Sequence, residues 1–177
     1  LMMPRIFRKE AEQYFRKQME LLTSAGFDAL GIGSMEEPGF LREAGIELPM
    51  YFDQGMYSWN HLAGAAMERY GADRLTIPVE LNEREIRDSG VQGEMIVYGY
   101  LPMMISAQCI RKTTLGCSGK SEIMWLKDRK DMRFPVVNQC RFCYNTIYNS
   151  APLSLLGLSE QVTGLKPNAV RLNFTVE

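Results

Sequence analysis

RLTIPVELNEREIRDSGVQGEMIVY, residues 74–98, decides the fold. RLTIP (74–78) is a short apolar run and reads as a strand. Asn82 stands three residues before Glu85, the spacing of a capping box, and opens a helix over Asn82 to Ser89. GEMIVY (93–98) is a second apolar run. A strand, a capped helix and a strand in so short a space form a βαβ unit. The helical crossover puts its two strands parallel.

The same rhythm extends upstream. FDALGIG (27–33) and LPMYF (48–52) read as strands. Glu36 to Ala44 reads as a short helix stopped by Gly45, and Ser58 to Tyr70 as a helix capped by Ser58 and stopped by Gly71. Lys9 to Ser24 has helical spacing and ends at Gly26 in the C′ role. The strands are apolar throughout rather than alternating, as expected when both faces are covered. Repeats of about 20 to 25 residues with short connections predict an α/β fold, the C-terminal half of a TIM-like (β/α) barrel.

After Tyr98 the rhythm stops. Residues 101–109 are apolar, and a polar loop follows through Gly119. Glu122 to Leu126 and Phe134 to Val137 read as two strands joined by a turn at Asp128-Arg129-Lys130-Asp131. Asp128-Arg129 fits either that turn or a salt-bridged motif. Ser159 to Thr163 reads as one helical turn and Ala169 to Val176 as a last strand. The expected organisation is βα units over 1–100, an appended cysteine-rich segment over 101–158, and a helical turn and strand returning to the barrel over 159–177.

Composition narrows the function classes. Hydrophobic residues at 46% and charged residues at 23% exclude a disordered chain. Twenty basic against 21 acidic residues leave a net charge of −1, so no global field draws in nucleic acid or membrane. No apolar run approaches the roughly 20 residues of a membrane helix. Nothing at Leu1-Met2-Met3 reads as a signal peptide, and the expected location is cytoplasmic.

All four cysteines, Cys109, Cys117, Cys140 and Cys143, fall within 35 residues. In a reducing compartment such a group more often holds metal than disulfides. Cys140-x2-Cys143 lets two thiolates reach one centre from a tight loop. Four thiolates fit tetrahedral zinc, and they equally fit a 4Fe–4S cluster. Four buried structural thiols, or a redox pair at Cys140 and Cys143, are the alternatives.

Several motifs now fall in order: ELN (80–82), EMIVYGYLPMMISAQC (94–109), LKDR (126–129), FPV (134–136) and CRFCYNTIYNSAPLSL (140–155). With MPRIFR (3–8) and RLNFTVE (171–177), they make the chain resemble the collagenase-like peptidase U32 family over nearly its whole length. The resemblance is to the C-terminal part of the catalytic core of a long clostridial-type member. It implies that an N-terminal half of the same polypeptide is a partner of this segment, and that the segment alone is inactive. Some members resemble enzymes that hydroxylate RNA bases or act in oxygen-independent ubiquinone hydroxylation, and some bind 4Fe–4S through four cysteines. The resemblance thus implies a cluster on Cys109, Cys117, Cys140 and Cys143, with zinc as the alternative.

Protease chemistry is scarce. No His-Glu-x-x-His and no Gly-x-Ser-x-Gly is present, and His61 is the one histidine. In parallel α/β folds chemistry sits at strand C-termini, here Gly33-Ser34, Asp53-Gln54, Glu80-Asn82 and Tyr98-Gly99. Asp53 and Glu80 are the carboxylates placed to face a shared pocket, or else caps and loop hydrogen-bond partners. Asn145 and Asn149 follow Cys143 closely enough in sequence to hydrogen-bond a cluster's sulfurs, or serve as turn residues. Arg111, Lys112, Lys120, Lys127, Arg129, Lys130, Arg133 and Arg141 make this region basic, either a solvated face or a contact for RNA phosphates.

Three function readings follow: an iron–sulfur-dependent hydroxylase of an RNA base or similar substrate, a true peptidase, and a non-enzymatic metal-stabilised domain. The open sheet edges of a half-barrel call for a cover, which the N-terminal half or a homodimer would supply.

Overall fold

A computed structural model describes residues 1–176. The chain divides into two units, Leu1–Ile96 with Leu158–Arg171, and Val97–Gly157 with the residues from Leu172 onward. In the first unit, helices α1 (Lys9–Lys17) and α2 (Met19–Ser24) precede strand β1 (Leu30–Ile32), helix α3 (Glu36–Glu43), strand β2 (Met50–Phe52) and helix α4 (His61–Tyr70). Strand β3 (Arg74–Leu75), helix α5 (Glu83–Ser89) and strand β4 (Glu94–Gly99) follow.

β1, β2 and β3 pair in sequence order and in parallel, with Leu30 opposite Met50 and Phe52 opposite Leu75. Parallel bridges extend the run at both ends, Met2 to Gly31 and Thr76 to Glu94. Leu30, Ile32, Leu41 and Phe52 are each at most 1% exposed. Burial on that scale contributes about 1.5–3 kcal/mol per side chain and explains why β1 has no polar face. No barrel closes among the described residues. The fold is mixed α/β with several sheets, and the half-barrel expected from sequence goes no further than this consecutive parallel run.

Local signals set the helix ends. Asn82 accepts from Glu85 N at 3.1 Å, and Asn82 N donates to Glu85 Oε2 at 2.8 Å, completing the capping box. The cap of α4 differs from expectation. Asn60 Oδ1 accepts from Ala63 N at 3.0 Å, whereas Ser58 is buried and donates to Thr76 O at 3.2 Å. Tyr57, at φ 55, turns the chain left-handed just before Ser58, and the cap falls two residues later, at Asn60. The single helix expected over Lys9 to Ser24 is two. Gln18 leaves helical geometry at φ −106, ψ 16, and the chain restarts from its carbonyl.

The second unit contains strand β5 (Pro102–Ser106), helix α6 (Ile110–Thr114), and strands β6 (Ile123–Lys127), β7 (Arg133–Gln139), β8 (Tyr144–Tyr148) and β9 (Leu153–Ser154). Four of these form an antiparallel sheet in the order β5-β8-β7-β6. The expected β6–β7 hairpin is present. At its turn Asp128 Oδ1 accepts from Lys130 N at 2.7 Å and Met132 N at 2.9 Å, while Lys127 and Asp131 form the ion pair at 2.7 Å. Asp128 is thus a turn residue.

Helix α7 (Ser159–Gly164) and strand β10 (Ala169–Asn173) close the order. β4 pairs antiparallel with β9 and has β10 along its other edge. β10 runs in the direction of β4, because Asn168 N bonds Gly93 O at one end and Gly99 lies against Asn173 at the other. Gly99, at φ 127, leaves no side chain where the Asn173 backbone passes.

Gly93 carries a similar constraint. A Cβ there would stand 2.6 Å from Leu75 O, a backbone atom held by the β2–β3 pairing. Gly93→Ala is expected to lower stability by about 1–3 kcal/mol in urea titration. Gly39→Ala, inside α3 with open space around it, is expected to raise it by roughly 0.5–1 kcal/mol.

Candidate functional site

The four cysteines leave one end of the four-stranded sheet. β5 ends with Ser106 opposite Asn145, β7 ends with Gln139 opposite Tyr144, and β6 begins with Ile123 opposite Val137. Cys140 and Cys143 lie in the turn between β7 and β8, Cys109 follows β5, and Cys117 lies in the loop before β6. Cys143, at φ 52, makes the tight turn. All four are free thiols.

Hydrogen bonds tie these connections together. Cys140 Sγ donates to Lys120 O at 2.9 Å, joining the β7–β8 turn to the loop that carries Cys117. Lys112 N donates to Cys109 Sγ at 3.4 Å, making Cys109 the cap of α6. Arg111 and Glu122 pair at 2.6 Å, linking α6 to the start of β6. Asn145 is fully buried, and its Nδ2 donates to Gln108 O at 2.7 Å and Ser106 O at 3.4 Å. It therefore fixes the turn that presents Cys109. Burial pushes the Cys140 thiol up, and charge at Cys109, Cys117, Cys143 and Glu122 adds to the shift, in that order. Charge on the other three cysteines therefore acts on Cys140. Among the described residues, no three His, Cys, Asp or Glu side chains are grouped to hold a metal ion.

Asn149 is placed elsewhere. It is exposed beyond the far end of β8, with its Oδ1 accepting from Ser150 N at 2.8 Å. At about 3.3 Å per residue, β8 separates it from Cys143 by roughly 15–20 Å. Asn138, opposite Asn145, was not anticipated. It is 1% exposed, and both amides leave Oδ1 without a partner. Asn138 stands beside Gln139 and Asn145 beside Thr146, and polar pairs of this kind carried no signal of burial.

At the parallel strand ends the two expected carboxylates differ in burial. Asp53 follows β2 and is 3% exposed, ion-paired with Arg5 and with Arg171 at 2.6 Å. Arg171 also reaches Glu94 at 3.1 Å. Glu80 is exposed in the turn after β3. Asp53 therefore neutralises two guanidiniums, and Glu80 has different surroundings altogether. His61 is exposed at the first position of α4.

Glu37, which sequence reasoning missed, lies at 0% exposure after β1. Its Oε2 accepts from Gly33 N at 2.8 Å and Ser34 N at 3.4 Å, while Oε1 has no partner. Burial raises its pKa from 4.5 to about 7 against those bonds and the Arg5 charge. A carboxyl raised in the folded state stabilises fully below the unfolded pKa. That contribution falls as pH rises from about 4.5 to 7 and is flat above. Glu37→Gln is expected to remove roughly 3 kcal/mol of this pH dependence. Urea titrations at pH 4.5 and 8 check it, and an unchanged wild-type-minus-variant difference between the two would contradict it.

The chain matches the family model described as Peptidase family U32 over residues 2–167. No curated protein and no solved structure matches it. A match over that share of the length, on a chain with this strand order and this cysteine-bearing sheet, establishes that the chain belongs to peptidase family U32.

Proposed function

We propose that this chain is part of a U32-family enzyme whose four cysteines hold a 4Fe–4S cluster, acting in hydroxylation of an RNA base or a similar substrate. The observation that supports this reading is that the connections bearing Cys109, Cys117, Cys140 and Cys143 leave the same end of one sheet. Thiolates gathered this way repel each other, and a positively charged iron core offsets that repulsion. Zinc draws four sulfurs to within about 3.8 Å of each other, given Zn–S bonds of about 2.3 Å. A cubane gives each thiolate its own iron and accepts a wider set. Four thiols on connections that leave the same end of one sheet suit a cluster that gives each its own iron.

When bound, the cluster supplies one-electron chemistry. The chain's own residues shape its seat. Asn145 fixes the Cys109 turn, and the Cys140 hydrogen bond to Lys120 O holds the loop of Cys117. Lys112, Lys120 and Arg141, one on each cysteine-bearing connection, are exposed and suit an anionic substrate. We read the parallel run of the first unit as part of a TIM-like barrel, completed by further strands from the same polypeptide or a second copy. No helix among the described residues is long and apolar enough to cross a membrane.

Hydrolysis is favoured by the family's name alone. The one histidine, His61, is exposed at the first position of α4. Protein purified without oxygen is expected to carry about four irons and four sulfides per chain and to absorb visible light. Cys140→Ser and Cys143→Ser are expected to lose most of the iron. One zinc per chain and no iron would overturn the redox reading and restore the hydrolytic or structural one.

A further inference from the structure

A cleft of about 240 Å³ opens in the second unit between β5, α6 and β8. Gln108 and Ile110, the two neighbours of Cys109, both line it. Met104 and Ile147 supply the opposing wall.

The three hydroxyls of the lining are already committed to the backbone, and the lining surface is mostly apolar. Ser106 Oγ accepts from Gln108 N at 3.1 Å. Thr113 Oγ1 donates to Cys109 O at 3.0 Å, and Thr114 Oγ1 donates to Ile110 O at 2.9 Å. What the cleft offers a ligand is therefore methyl and thioether surface. A charged or strongly polar group placed there would lose its water without gaining partners. An engineered apolar cavity of about 150 Å³ takes up benzene, so this volume suits one or two fused rings. Met104 is 57% exposed at the rim, and its unbranched side chain adapts to ligand shape.

We propose that this cleft binds the uncharged, ring-sized apolar part of a small ligand, next to the turn that presents Cys109. As a binding site it stands whatever the thiols hold. As a substrate subsite it rests on the redox reading above.

Indole is the probe. Protein labelled at methionine and isoleucine methyls is titrated with indole and followed by NMR, with iron content measured separately on the same sample. The methyls of Met104, Ile110 and Ile147 are expected to shift saturably, while exposed Met132 on the β6–β7 turn does not. Met104→Lys, at an exposed position that leaves the fold intact, is expected to weaken binding at least tenfold. Ile110→Trp, which fills the cleft from α6, is expected to do the same. Shifts spread equally to Met132, no saturable shift, or binding untouched by both substitutions would overturn the proposal. Binding without iron would leave the cleft standing and sink the cluster. Iron without binding would do the reverse.

Discussion

The carboxylate of Asp53 joins three distant parts of the first unit. Arg5 comes from ahead of α1, Asp53 from the end of β2, and Arg171 from β10, 118 residues further along. The carboxylate is 3% exposed, so each oxygen depends on a guanidinium for the neutralisation that water would otherwise supply. Stranding one partner of a buried pair costs about 3–5 kcal/mol, several times the worth of a surface pair. Arg171 then extends the contact to Glu94 at the start of β4. Gly33 and Gly55 lack side chains where Arg5 passes. The order of the parallel strands and the return of β10 meet at this one charge.

What the sequence disclosed were local features. The capping box at Asn82 and Glu85 acts over three residues, and it was legible because both partners stand in the same short window. The β6–β7 hairpin and the apolar strands were legible for the same reason. The partners of Asp53 lie 48 and 118 positions away, and no periodicity connects them. Glu37 reads as an ordinary acid in the first turn of a helix, favourable near the dipole, yet it is fully buried. β8 was illegible because Tyr144, Asn145 and Thr146 are all buried, which removes the alternation that marks a strand.

The cysteines are a mixed case. Their clustering was legible in the spacing, and the strand register puts the connections that carry them at the same end of the sheet. Register itself depends on Asn138 and Asn145, which face each other across β7 and β8. Slipping β8 by one residue would turn Asn145 to the opposite face and release the Cys109 turn, and slipping β7 would do the same to Asn138. Buried amides of this kind cost stability wherever an oxygen goes unpartnered. The sheet trades some stability for a fixed register at the end that matters chemically.

The pairing of β4 with β10 brings Gly93 beside Asn168. Between them lies the whole antiparallel sheet. In kinetic terms this is a costly loop to close, since closure entropy grows with the chain enclosed. Each βα unit can form from near neighbours, but β10 must wait for a long excursion to return. A sheet that folds on its own brings its two ends together and shortens that excursion.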